Sequence, residues 1–168
     1  LSFTAMVGYA VGFYDVGDDF DNVLAHLELK YQPRRTLNFS LGYQRMLNPS
    51  FIGNFTKSDK IYLRGQVLAG GAFLLGAQVG LSFDRSGLAL DPDGNALGNQ
   101  ERRSDTRLNA TVFGEYRFTD WLALNASLGY TGDFTDFRFT DPATGAVYPD
   151  APAGFNKFEA WLGLRVFY

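Results

Sequence analysis

"TRLNATVFGEYRF", residues 106–118, alternates with a period of two. Leu108, Ala110, Val112, Gly114, Tyr116 and Phe118 leave an extended chain on one side. Arg107, Asn109, Thr111, Phe113, Glu115 and Arg117 leave it on the other. Successive side chains of a strand point to opposite faces, so the stretch predicts a strand with one apolar face and one charged face. A slip of one residue would turn Arg107, Glu115 and Arg117 onto the apolar side. The same period runs through 2–14, 23–31, 36–44, 60–68, 73–84, 121–131 and 156–168, and none of these reads better as a helix. Eight strands follow.

The bulk numbers bound the rest. A chain of 168 residues fits one domain, and it contains no run of 18 apolar residues that would make a membrane helix. Nineteen glycines with 2 Trp, 9 Tyr and 16 Phe suit strands and tight turns. A net charge of −3 argues against a nucleic-acid partner, and the lack of cysteine excludes disulfides, thiol nucleophiles and zinc–thiolate sites. The chain opens on Leu1 within an apparent strand, without initiator Met or signal peptide. That predicts a processed form or a piece of a longer protein.

The connections alternate in length. Residues 31–36, 69–73 and 118–121 make short links, while 15–22, 46–58, 85–104 and 132–156 are longer and rich in Asp, Gly, Pro and Asn. Short turns on one side and long loops on the other describe an outer-membrane barrel with periplasmic turns and extracellular loops. The expected fold is therefore all-β, a single eight-stranded antiparallel transmembrane barrel over 1–168 in an up-and-down meander. Its even strand number puts both termini in the periplasm and lets the first strand pair with the last. A soluble lipocalin-like barrel shares the period, but two features favour lipid. The apolar face is almost free of charge, and aromatics cap it at both ends. Phe13, Tyr43, Phe83, Tyr130 and Phe158 lie at the long-loop end; Phe3, Tyr31, Phe73, Phe118 and Tyr168 lie at the short-turn end. Aliphatic residues fill the band between, matching the two interfaces of a bilayer.

The last six residues, "GLRVFY", resemble the terminal strand signal that barrel-assembly machinery reads, with Gly163, Val166 and Tyr168 in its places and Trp161 where a polar residue is usual. Further upstream, "PRRTLNFSLGYQRMLNPSFIGNF", "SDKIYLRGQVLAGG" and "RRSDTRLNATVFGEYRFTDWLALNASLGY" are similar to the outer-membrane barrel family associated with capsule and exopolysaccharide export. The likeness covers about residues 30 to 132. It implies a non-enzymatic envelope barrel with polysaccharide-export components as partners. Because members of that family are larger barrels, it also implies that this chain is a C-terminal half, part of a wider, porin-like pore. The competing reading is a stand-alone OmpA/OmpX-type structural or adhesive barrel acting through its extracellular loops, in contact with lipopolysaccharide.

Little of the sequence reads as catalysis. Inward-facing His26, Glu28, Lys30, Arg64, Glu115, Arg117, Glu159 and Arg165 are expected to form a charge network in a crowded lumen, or to line a wider ion-selective pore. A lipid-A-modifying barrel enzyme would need a histidine beside a nucleophile. His26 is the one histidine, and no nucleophile stands at readable spacing from it. No cofactor is implied. Asp15, Asp18 and Asp19 are weak candidates for a divalent cation. "DPDGN" (91–95) departs from a calcium loop and, like "DPATG" (141–145), reads as a hairpin tip.

Overall fold

The computed structural model describes residues 1–15, 19–50, 54–87, 103–140, 144 and 146–167. Strands β1 (Ser2–Gly12), β2 (Phe20–Arg34), β3 (Leu37–Pro49), β4 (Phe55–Ala69) and β5 (Phe73–Ser86) come first. They are followed by β6 (Ser104–Arg117), β7 (Leu122–Thr135), β8 (Arg138–Thr140), β9 (Val147–Pro152) and β10 (Phe155–Val166). There is no helix among the described residues. Eight strands form one antiparallel sheet in the order β1-β2-β3-β4-β5-β6-β7-β10, an up-and-down meander as the alternation implies. The sheet is open. Among the described residues β1 pairs only with β2 and β10 only with β7, so the expected pairing of first strand with last is not made there.

Several strands run further toward the long loops than their apolar alternation. β4 starts at Phe55 rather than near residue 60, and the link between β3 and β4 shrinks to a short tip. There the Ser50 N–H donates to the Asn54 carbonyl at 2.9 Å, and Asn54 adopts φ 60°, a left-handed conformation that Asn tolerates. Lys57, Ser58 and Asp59 are polar on both faces, so it is the ladders to Leu47, Met46 and Arg45 on β3 and to Arg85, Asp84 and Phe83 on β5 that hold them extended. The small hairpin β8–β9 falls in the stretch read as a loop; "DPDGN", and all of "DPATG" except Thr144, lie outside the described residues. At the short end, Gly70 and Gly71 turn β4 into β5 with φ 59° and 75°, a backbone that a side chain would strain.

Burial is inverted relative to a water-soluble sheet. Along β5, Phe73, Leu75, Ala77, Val79, Leu81 and Phe83 are exposed, while Gly76, Gly80, Ser82 and Asp84 on the other face are buried. Among the described residues the only buried apolar side chains are Phe20 and Ala123, whereas Ser40, Ser58, Ser82, Asp84, Asp105 and Asp133 are buried. The packed layer is thus the polar face.

It packs by setting large groups over small ones. Tyr62 on β4 lies across Gly42 on β3, where a Cβ would collide with its ring, and its hydroxyl reaches Glu28 on β2 at 2.7 Å. Phe113 on β6 covers Gly76 on β5 in the same way, and its ring faces the Arg64 guanidinium at 5.8 Å. Gly76→Val is therefore expected to displace Phe113 and destabilise the fold by ~1–3 kcal/mol. Gly114→Ala, whose Cβ would meet nothing closer than 3.7 Å, should change little. Urea unfolding of the two variants checks the contrast.

Candidate functional site

Register assigns every strand residue to one of the two faces, since directly paired residues share a face. The apolar face carries three tyrosines with a common orientation. The Tyr9 hydroxyl donates to Asp21 at 2.9 Å, Tyr43 to Asp59 at 2.5 Å, and Tyr130 to Asn156 at 2.7 Å. Each acceptor sits on the neighbouring strand, opposite the residue two places nearer the long loops: Val11, Arg45 and Gly132 respectively. The rings thus lie toward the apolar band and the hydroxyls toward the loop end, the arrangement of an amphipathic side chain at a boundary between apolar and polar surroundings. Arg45 reinforces that boundary with a 2.6 Å ion pair to Asp59.

The other predicted girdle residues are placed as follows. Phe13, Phe83 and Phe158 are exposed at the long-loop end, with Phe158 4.9 Å from the Tyr130 ring. Tyr31, Phe3, Phe73 and Phe118 are exposed at the short-turn end, and Phe118 packs edge-on against Tyr116 at 4.9 Å. Tyr168 lies outside the described residues, so of the terminal motif only Gly163, on the polar face, and Val166, on the apolar face, are seen. Between the aromatic ends runs a shallow apolar groove of about 720 Å³. Gly65, Ala77 and Ala110 make its floor; Phe39, Leu63, Leu128 and Phe158 make its walls.

All eight predicted lumen residues share the polar face, but they do not form one network. Glu28 pairs with Lys30 at 3.0 Å and accepts from Tyr62. Glu115 pairs with Arg165 at 2.9 Å across β7, over the fully buried Ala123 that separates the strands. Glu159 takes Lys157 at 2.9 Å instead of a predicted partner. Arg64 and Arg117 rest on aromatic rings, Phe113 and Phe167, the latter at 4.5 Å. His26 Nδ1 lies 3.3 Å from the Gln44 amide nitrogen.

The densest electrostatic cluster was not anticipated. At the long-loop end of the polar face, Arg107 bridges Asp84 and Asp133 at 3.2 Å each. Arg103 binds Asp105 at 2.7 Å and Asp133 at 3.5 Å, and the Ser58 hydroxyl donates to Asp84 at 2.6 Å. Three buried carboxylates thus face two guanidiniums. Asp84 closes one strand as read, Asp133 falls in a stretch read as a loop, and only the register of β5, β6 and β7 brings both to Arg107. The cluster borders a polar depression of about 650 Å³ that also takes in Lys60, Gln78 and Asn109.

The acidic first loop gives no metal centre among the described residues. Asp19 accepts the Tyr14 N–H at 3.0 Å, Asp15 stands at a bend, and Asp18 lies outside the described residues. No family model, curated protein or solved structure matches this chain.

Proposed function

We propose that this chain is the wall of a non-enzymatic bacterial outer-membrane β-barrel, related to polysaccharide-export barrels, either alone or as part of a larger pore. Its apolar face meets lipid and its polar face lines the lumen. The long loops are extracellular and the short turns periplasmic. The observation that carries the reading is the inverted burial of β5, with six apolar-face residues exposed and the polar face packed. In water, Leu63, Val112, Leu128 and Leu162, each more than half exposed, would form an extended apolar surface far beyond what a soluble monomer presents. In a bilayer the same surface is matched to its solvent. The three tyrosine hydroxyls support the orientation, since interfacial aromatics direct their polar tips toward the headgroups. The relation to polysaccharide export rests on the resemblance of residues 30 to 132.

Nitroxide labels test the assignment. After refolding into vesicles, labels at Leu63, Val112 and Leu128 should be relaxed by oxygen and shielded from a water-soluble nickel chelate. Labels at Gln66, Thr111 and Ser127 on the polar face should not show that lipid signature. Equal accessibility of the two sets would overturn the reading.

A further inference from the structure

We propose that the two free edges are partners for each other, and that β1 docks against β10 in one register, with Val7 opposite Leu162. The inference rests on the membrane-wall reading and adds the partner of each edge. It starts from the shear of the sheet. Direct partners lead from Phe3 through Leu29, Leu41, Leu63, Val79, Ala110 and Tyr130 to Phe158. Phe3 stands at the short-turn end of β1, yet Phe158 stands at the long-loop end of β10. A line square to the strands therefore climbs from one aromatic level to the other. For the two levels to lie flat in a bilayer, the residue beside Phe3 must be the apolar-face residue of β10 next to the short turn, Val166, which pairs with Leu122. From Phe158 to Val166 is a shift of eight positions. Over eight strands that shift corresponds to a strand tilt of about 36°, inside the range of roughly 35–45° for transmembrane barrels.

Side-chain sizes select the same register independently. With Phe3 beside Val166, the apolar face joins Ala5 to Leu164, Val7 to Leu162, Tyr9 to Ala160 and Val11 to Phe158. On the polar face Met6 meets Gly163, and Gly8 meets Trp161. That continues the large-over-small packing already seen for Tyr62 on Gly42 and Phe113 on Gly76. Moving β10 two residues one way sets Met6 against Trp161, and moving it two the other way sets Gly8 against Gly163, leaving a crowd or a void. Odd shifts would turn Arg165 and Glu159 onto the apolar face. The edges are also free to pair: Trp161 is 70% exposed and Met6 55% exposed. Docked in this way, the eight strands enclose a lumen filled by Trp161, Phe113, Tyr62 and the charged pairs, with no open channel.

The chain has no cysteine, so paired cysteines report without background. Direct cross-strand partners fall within the Cα separation a disulfide allows, and partners two residues out of register do not. After refolding into phosphatidylcholine vesicles, the Val7→Cys/Leu162→Cys double variant should oxidise almost completely to an intramolecular disulfide. Val7→Cys/Ala160→Cys and Val7→Cys/Leu164→Cys should stay near background, and the wild-type chain should give no steady porin-sized conductance in planar bilayers. Disulfide in either of the shifted pairs instead would overturn the register. Disulfide between two chains would mean that a second copy occupies the edge. No disulfide in any pair, while the labels at Leu63 and Leu128 still report lipid, would overturn closure and leave the membrane wall standing with further strands at its edges. Loss of the lipid signal as well would remove both.

Discussion

Replacing Arg107 with methionine is expected to lower the unfolding free energy by about 3–5 kcal/mol, the usual effect of removing one partner from a buried ion pair. The reason lies in what stays behind. Asp84 and Asp133 have side chains 7% and 0% exposed, and each loses its 3.2 Å guanidinium contact. Ser58 still donates to Asp84 and Arg103 still reaches Asp133 at 3.5 Å, so the loss is softened but not cancelled. Arg107→Lys should fall between wild type and methionine, because an ammonium keeps the charge but not the fork that spans two carboxylates. Urea unfolding in vesicles measures the series. A methionine variant within 1 kcal/mol of wild type would show that the carboxylates find water or protons instead, and that the cluster adds nothing to stability.

Val112→Lys and Thr111→Lys should differ by ~2–4 kcal/mol, though the two residues are neighbours on β6. Val112 is half exposed in the middle of the apolar face, between Ala77 on β5 and Leu128 on β7. On the proposed membrane-wall reading, a lysine there would sit near the midplane of the hydrocarbon. Thr111 is exposed on the polar face, opposite Gln78 and Gly129, where a lysine finds polar neighbours and space over the glycine. The comparison holds strand, depth and substitution constant and changes only the face. Equal losses, or the larger loss at Thr111, would mean that the apolar face is covered by protein and not by lipid.

How far the sequence carries depends on whether a property is local. The face of each residue was legible because alternation is set by the two bonds on either side of a Cα, and Arg107 points the same way whatever lies next to it. Strand ends were less legible. At Lys57, Ser58 and Asp59 both faces are polar, so the pattern vanishes while the ladder to β3 continues. The short β8–β9 hairpin has too few residues for a period to show.

The polar face shows the same limit. Glu28 and Lys30 stand two residues apart on one strand, and their 3.0 Å pair follows from alternation. The Glu115–Arg165 pair does not, since it joins β6 to β10 across Ala123. Its existence depends on the pairings of Arg117 with Ala123 and of Ala123 with Arg165, two registers set by loop lengths and turn geometry. The cluster of Asp84, Arg107 and Asp133 likewise needs the register of three strands, and neither carboxylate is marked by its neighbours in the chain.

The sequence by itself determined an all-β meander of eight strands with one apolar and one charged face, because a period of two acts over a few residues. Only the tertiary structure decided which charges meet and how far each strand runs. Those depend on register and on the volumes of side chains from three strands at once, and nothing local to any one strand encodes them.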